Sequence, residues 1–256
     1  MFLGITFSIT WTAWWTVAWL TRHGVTTYGE PAFMTLYVLG GLGPTIAAYA
    51  AIVLTRGEGS VAEFHRNLFR WRVHPLWYAV ALGLPFVLAW AALGLAGAFE
   101  PRVSNGIAFE PWSRIVPLFC LMIVGGGLEE LGWRGVAQPE LERRMIRPVA
   151  ALIVGVLWAL WHVPLFVIPG VGQYQTSFPV FSINTVGLAF VLAWLYGRTR
   201  SILLCVLLHA ASNTAGAMGF SIPNDLVVPN VISSVLTLVL GVGLVLADGR
   251  LKARRG

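Results

Sequence analysis

Charge is what this sequence has least of. Lysine and arginine number 17 and aspartate and glutamate 11 in 256 residues, together 11%, where an average soluble domain carries roughly 25%. So little charge cannot cover a water-soluble fold, and 57% hydrophobic residues with a mean hydropathy of +0.75 place the chain in a membrane. Cysteine is also scarce. Cys120 and Cys205 both sit in apolar blocks without metal-ligand or redox spacing and read as packing residues. There is no His-Glu-x-x-His, the stronger zinc signature, and no evident internal repeat or low-complexity stretch. The net charge of +6 does not describe a nucleic-acid-binding face, because the basic residues fall in short clusters between apolar blocks, as topology signals do. No nucleic-acid partner is expected. The first apolar block begins at Phe2 with no basic stretch before it and offers no small-residue cleavage site from Ala13 to Leu20, so it reads as a retained span.

What is abundant is apolar sequence in blocks of about 20 residues, each enough to cross the roughly 30 Å hydrocarbon core as a helix. Eight candidate spans result, roughly 2–20, 33–55, 76–98, 114–138, 148–168, 179–197, 201–220 and 227–247. The expected fold is a single all-α polytopic bundle over 1–256. Basic clusters occupy alternate loops: Arg56, Arg66, Arg70 and Arg72; Arg143, Arg144 and Arg147; Arg198 and Arg200; and Arg250, Lys252, Arg254 and Arg255. Eight spans bring all four clusters to one side, leaving Arg22, Arg102 and Arg114 with Glu30, Glu100, Glu110 and Asp225 on the other. The positive-inside rule then places both termini in the cytoplasm. Trp11, Trp14, Trp15, Trp19, Trp71 and Trp77, near span ends, suit an interfacial aromatic belt.

Against this background a few polar residues stand out, because a charged side chain at the bilayer centre costs at least about 2.5–3.5 kcal/mol and marks function by default. Glu129, Glu130, Arg134, His162 and His209 come from three different blocks. On a helix Glu130 and Arg134 form an i, i+4 pair with the acid on the N-terminal side, which neutralises the arginine. Glu129 projects about 100° away and stays available as a base. His209 and Asn213, also i, i+4, aim an imidazole and an amide at one point. Glu129 lies 14 residues before Arg143, His162 lies 15 after Arg147 and Asn213 lies 13 after Arg200. Continuous helix at about 1.5 Å per residue would put all three near one depth, with Pro139 a possible kink. A carboxylate and an imidazole around one water can act as paired bases for peptide hydrolysis, and an Asn amide with a neighbouring His N–H can stabilise the oxyanion. Gly125, Gly126 and Gly127 would allow close approach of a substrate backbone or of another helix. His23, His65 and His74 read as solvated loop residues.

These three blocks resemble the CAAX-protease and bacteriocin-processing family of intramembrane endopeptidases. Its pattern is an acidic pair followed by three residues and Arg, a Phe-x-x-x-His block, and a His-x-x-x-Asn block. Glu129-Glu130-x-x-x-Arg134, His162 and His209-x-x-x-Asn213 match in order over about 90 residues, with Trp158 where Phe is usual, read as a change in packing. The resemblance implies an eight-helix integral membrane protease, with catalytic core helices over 114–220. Glu129 and His162 would activate water, His209 and Asn213 would form the oxyanion site, and Glu130 and Arg134 would be structural support. The implied partners are the lipid bilayer and a peptide or lipidated protein substrate. The resemblance assigns no one cofactor, since the family is described both as metalloproteases and as metal-independent glutamate proteases; on ligand type Glu129, His162 and His209 are an alternative zinc set. Two other readings remain open: a secondary transporter, which intramembrane carboxylates also mark, and a non-catalytic immunity or scaffold protein of the same fold.

Overall fold

A computed structural model of the chain describes residues 1–56, 60–105 and 109–253. The apolar blocks fold as helices: α1 (Phe2–Arg22), α2 (Pro31–Gly41), α3 (Gly43–Arg56), α4 (Ser60–Leu68), α5 (Leu76–Phe99), α6 (Pro101–Asn105), α7 (Ile115–Val124), α8 (Glu130–Gly132), α9 (Gln138–Glu142), α10 (Arg147–Trp161), α11 (Phe178–Thr199), α12 (Ile202–Ala217) and α13 (Val227–Ala253). No strand occurs among the described residues. Arg254 and Arg255 lie outside them. Proline sets several helix starts, since its fixed φ and missing N–H suit a first turn. Pro31, Pro148 and Pro179 stand there in α2, α10 and α11.

By length and composition five segments are able to cross a membrane: Leu76–Phe99, Trp112–Glu142, Arg147–Val167, Phe178–Thr199 and Val227–Gly249. A sixth arises if α2 and α3, bent by 45°, count as one span. The other two of the eight expected spans are weaker by these measures. α1 has 21 residues but is diluted by Trp and Thr, and α12 has only 16. The bend between α2 and α3 follows the surface of α1. A Cβ at Gly40 would collide with the Trp14 indole, one at Gly43 would collide with Thr10 Oγ1, and the Thr10 hydroxyl donates to Gly40 O at 2.7 Å.

α11 is the axis of the bundle: its contacts with α13 and with α10 are the two most extensive between helices. Small residues allow this closeness, as they do between membrane helices generally. A Cβ at Gly187 of α11 would lie 2.6 Å from Leu238 N of α13, one at Gly241 would lie 2.5 Å from Gly187 O, and one at Gly155 of α10 would lie 2.9 Å from Val186 Cα.

Ion pairs gather the basic clusters at one end. Asp248 pairs with Arg147 at 2.9 Å and with Arg198 at 3.2 Å, Arg147 also reaches Glu142 at 2.9 Å, and the Ser201 hydroxyl donates to Arg70 O at 2.7 Å. The opposite end joins Arg102 to Asp225 at 3.6 Å and Arg114 to Glu110 at 2.6 Å.

Three expectations need correction. Trp14 is no belt residue: it is 3% exposed, donates to Tyr37 O at 2.9 Å and packs on Trp161. Cys120 is exposed on α7, so only Cys205 is a packing residue. The basic stretch after α3 contains a helix, α4, which buries Phe64 against Gly135 and brings His65 Nε2 within 3.1 Å of the Tyr49 hydroxyl.

Gly187→Leu should force α13 away from α11, because the opposing atoms are backbone and cannot yield. Overpacking of this kind costs about 1–3 kcal/mol. Thermal unfolding in detergent should show a lowered midpoint, and an unchanged midpoint would contradict this contact.

Candidate active site

Glu129 and Glu130 sit where the fourth apolar segment loses regular helix. α7 ends at Val124, Gly127–Glu129 makes one 3-10 turn, α8 adds three residues, Trp133–Ala137 forms a π-helical turn, and α9 follows. Isolated π turns occur often at functional sites. The depth count assumed continuous helix here; the break falls at Gly125–Gly126, whereas Pro139 begins α9 without causing it. α3 holds the irregular stretch in place. The Thr45 hydroxyl donates to Leu128 O at 2.6 Å, and Gly132 lies so close to Pro44 that a Cβ there would be 2.6 Å from its carbonyl oxygen.

The break turns the two glutamates to different partners. Glu130, fully buried, pairs with the equally buried Arg134 at 2.9 Å and accepts from His209 Nδ1 at 2.9 Å. Arg134 is held further by the Ala189 carbonyl at 3.5 Å and by the Trp158 ring, 4.9 Å from its Cζ. Glu129, 7% exposed, makes none of these bonds. Its Oε2 accepts from the Trp158 indole N–H at 2.7 Å, and it lies within electrostatic reach of His209, Glu130 and Arg134.

α10 delivers His162 at its C-terminal junction, just before the 3-10 turn Val163–Val167. Its Nδ1 is 2.8 Å from Trp158 O. A carbonyl only accepts, so Nδ1 carries the proton and Nε2 of the neutral ring is a bare acceptor. Trp161 and Phe181 enclose the imidazole at centroid distances of 4.7 and 5.0 Å. α12 contributes His209 and Asn213, and both crowd the backbone at Gly126: a Cβ there would collide with Asn213 Nδ2 and lie 3.0 Å from His209 Nε2. Gly126 is thus required by its neighbours.

Glu129, His162 and His209 all touch Trp158, the last with its ring 5.1 Å away, edge to face. Among the described residues Glu129 Oε1, the Nε2 atoms of His162 and His209, and the Asn213 amide have no hydrogen-bond partner, although Glu129, His162 and His209 are each under a tenth exposed. These are the polar atoms that the site leaves uncommitted. A cavity of about 440 Å³ borders another face of α12, between α5, α11, α12 and α13. Its polar lining includes Asn184, Ser212, Ser234 and Thr237 but none of the four motif residues. The alternative zinc set does not fit: among the described residues no three His, Cys, Asp or Glu side chains are gathered for a metal ion.

Two participants were not singled out from the sequence, Trp158 as a hydrogen-bond donor and Gly126 as the residue under the amide. The signals were an indole where Phe is usual and the middle glycine of three before the acidic pair.

With the geometry in view, comparisons with known proteins point the same way. Residues 111–215 match the family model described as Type II CAAX prenyl endopeptidase Rce1-like. Over 223 residues the chain is 26% identical to CAAX prenyl protease 2 of Methanococcus maripaludis, covering 81% of this chain and 80% of that protein.

Arg134→Ala leaves Glu130 buried without its guanidinium, and breaking a buried pair costs about 3–5 kcal/mol. Folded yield and melting midpoint should both fall sharply and recover in part when Glu130→Gln is added. A wild-type midpoint for Arg134→Ala alone would contradict the pairing.

Proposed function

We propose that this chain, similar to the CAAX-protease and bacteriocin-processing family, is an intramembrane endopeptidase that cuts a peptide bond of a membrane-associated, lipidated protein of the CAAX type. The observation that carries the reading is the set of partnerless polar atoms on Glu129, His162 and His209, brought from three chain segments around one tryptophan, with the Asn213 amide beside His209 at Gly126.

Glu129 Oε1 and His162 Nε2 accept the two hydrogens of one water. As the water oxygen attacks the scissile carbonyl carbon, its proton passes to Glu129 and the carbonyl electron pair moves onto oxygen. His209 Nε2–H and Asn213 Nδ2–H meet that oxyanion. When the intermediate collapses, the C–N bond breaks and the departing amine takes the proton from Glu129.

The hydrogen bonds support these roles atom by atom. The Trp158 carbonyl leaves His162 Nε2 as an acceptor, as a base requires. His209 donates Nδ1–H to the Glu130 carboxylate, so an Nε2–H for the oxyanion requires an imidazolium, and Glu130 is its counter-charge. With Glu129 and Glu130 negative, Arg134 and His209 positive and His162 neutral, the charges in the site sum to zero. A low-dielectric pocket favours such a balance.

The reading is tested with a farnesylated CAAX peptide and the purified protein in detergent or vesicles. Glu129→Gln and His162→Ala should each lower turnover by about 10²–10⁴-fold, the range for losing a general base, with the melting midpoint retained. A Gln variant as active as wild type would remove this mechanism. A chelator should leave turnover unchanged; loss of activity that zinc restores would overturn the metal-free reading.

A further inference from the structure

Trp158 occupies a place that no other residue of the site shares. It is 2% exposed, one turn before the end of α10. Its indole N–H donates to Glu129 Oε2 at 2.7 Å, its carbonyl accepts from His162 Nδ1 at 2.8 Å, one face of its ring lies 4.9 Å from Arg134 Cζ, and its ring meets His209 at 5.1 Å. The carbonyl contact would survive almost any residue at this position and the ring contacts would survive Phe. The N–H bond would not.

That bond differs from those of the other buried indoles. Trp14 donates to a backbone carbonyl and Trp161 to the Thr10 hydroxyl, and Trp133 Nε1 has no partner among the described residues. Among the described tryptophans Trp158 alone donates to a carboxylate. A carboxylate has two oxygens and a soft terminal torsion. Anchoring one oxygen with a charge-assisted bond to a ring wedged between Arg134 and His209 fixes where the other points.

We propose that Trp158 is a positioning residue. Its indole N–H clamps Oε2 of Glu129 so that Oε1 faces the water shared with His162, while its own carbonyl sets the tautomer of that histidine. It touches neither water nor substrate and acts through the two residues that do. The effect on turnover rests on the proteolytic reading; the clamp itself does not.

The test separates the two. Trp158→Phe keeps the carbonyl and an aromatic ring and removes the N–H. Replacing Trp158 with benzothienylalanine, in which sulfur stands for the N–H in an isosteric ring, removes the bond without removing volume. In the peptide assay both should lower kcat about 10- to 100-fold, as expected for a lost hydrogen bond to a charged group, with KM unchanged and the protein still folded.

Independently of cleavage, ¹⁵N-labelled tryptophan should give one indole N–H resonance displaced downfield from the rest. It should be missing in Trp158→Phe and return toward the others in Glu129→Gln. If the protein cleaves nothing but this resonance responds to Glu129→Gln, the clamp stands and the proteolytic reading falls. If the benzothienylalanine variant turns over as wild type does, or the Trp158 resonance ignores Glu129→Gln, the positioning role is overturned.

Discussion

A charge buried away from water must find its compensation within the protein, and the arrangement of this bundle follows from that requirement. Isolated, a carboxylate or a guanidinium in the bilayer interior is costly enough to forbid the fold. Here Glu130 and Arg134 compensate each other one helical turn apart, and His209 completes the set from a different helix. The pair therefore does more than neutralise a cation. It carries α12 to the fourth apolar segment, and with it the residue that sits across Gly126. Glu129 is then the second acid of a site whose first is already engaged, which gives two adjacent carboxylates different partners and different capacities.

The interruption of helix in the fourth segment is the structural counterpart of this division. In a continuous α-helix Glu129 and Glu130 would have regular backbone on both sides and Gly126 would be one turn further along the same cylinder. In the structure the chain leaves α7 at Gly125, turns through Gly127–Glu129 and resumes as α8 and a π turn. Backbone that has left the helix within a bilayer needs partners, since lipid supplies none. The Thr45 hydroxyl on Leu128 O provides one. The missing side chain at Gly126 lets the Asn213 amide and His209 Nε2 approach the main chain.

How much of this was legible in the sequence depended on the range of the signal. Charge scarcity and block length report the solvent, so the membrane class and the all-helical fold could be read from composition. The Glu130–Arg134 pair could be read from its spacing because both ends lie on one turn. The contribution of Trp158 could not: an indole in an apolar run reads as packing, and only the contact with Glu129, 29 residues away, reveals its N–H as a donor. Trp14 was misplaced for the same reason, since a tryptophan near a helix end looks interfacial until Tyr37 and Trp161 are seen around it. The break at Gly125 escaped because three glycines serve helix packing and helix ending equally well.

Burial along the spans gives the last step. The α10 segment Arg147–Val167, which carries Trp158 and His162, is the most enclosed of the five long spans at 56% buried, and the α13 segment Val227–Gly249, which carries none of the motif residues, is the least at 17%. In water such a gradient would be driven by sequestering apolar surface, but lipid solvates leucine as well as a protein interior does, so that force is weak between membrane helices. What requires enclosure in a bilayer is the polar group. The helices that hold Glu129, Glu130, Arg134, His162 and His209 must therefore be wrapped by others. α13 is free to face lipid except where it packs on α11 and α5 and at the Asp248 ion pairs with Arg147 and Arg198, which fasten it to the helices it covers. The outer helices are in this sense the solvent of the inner ones.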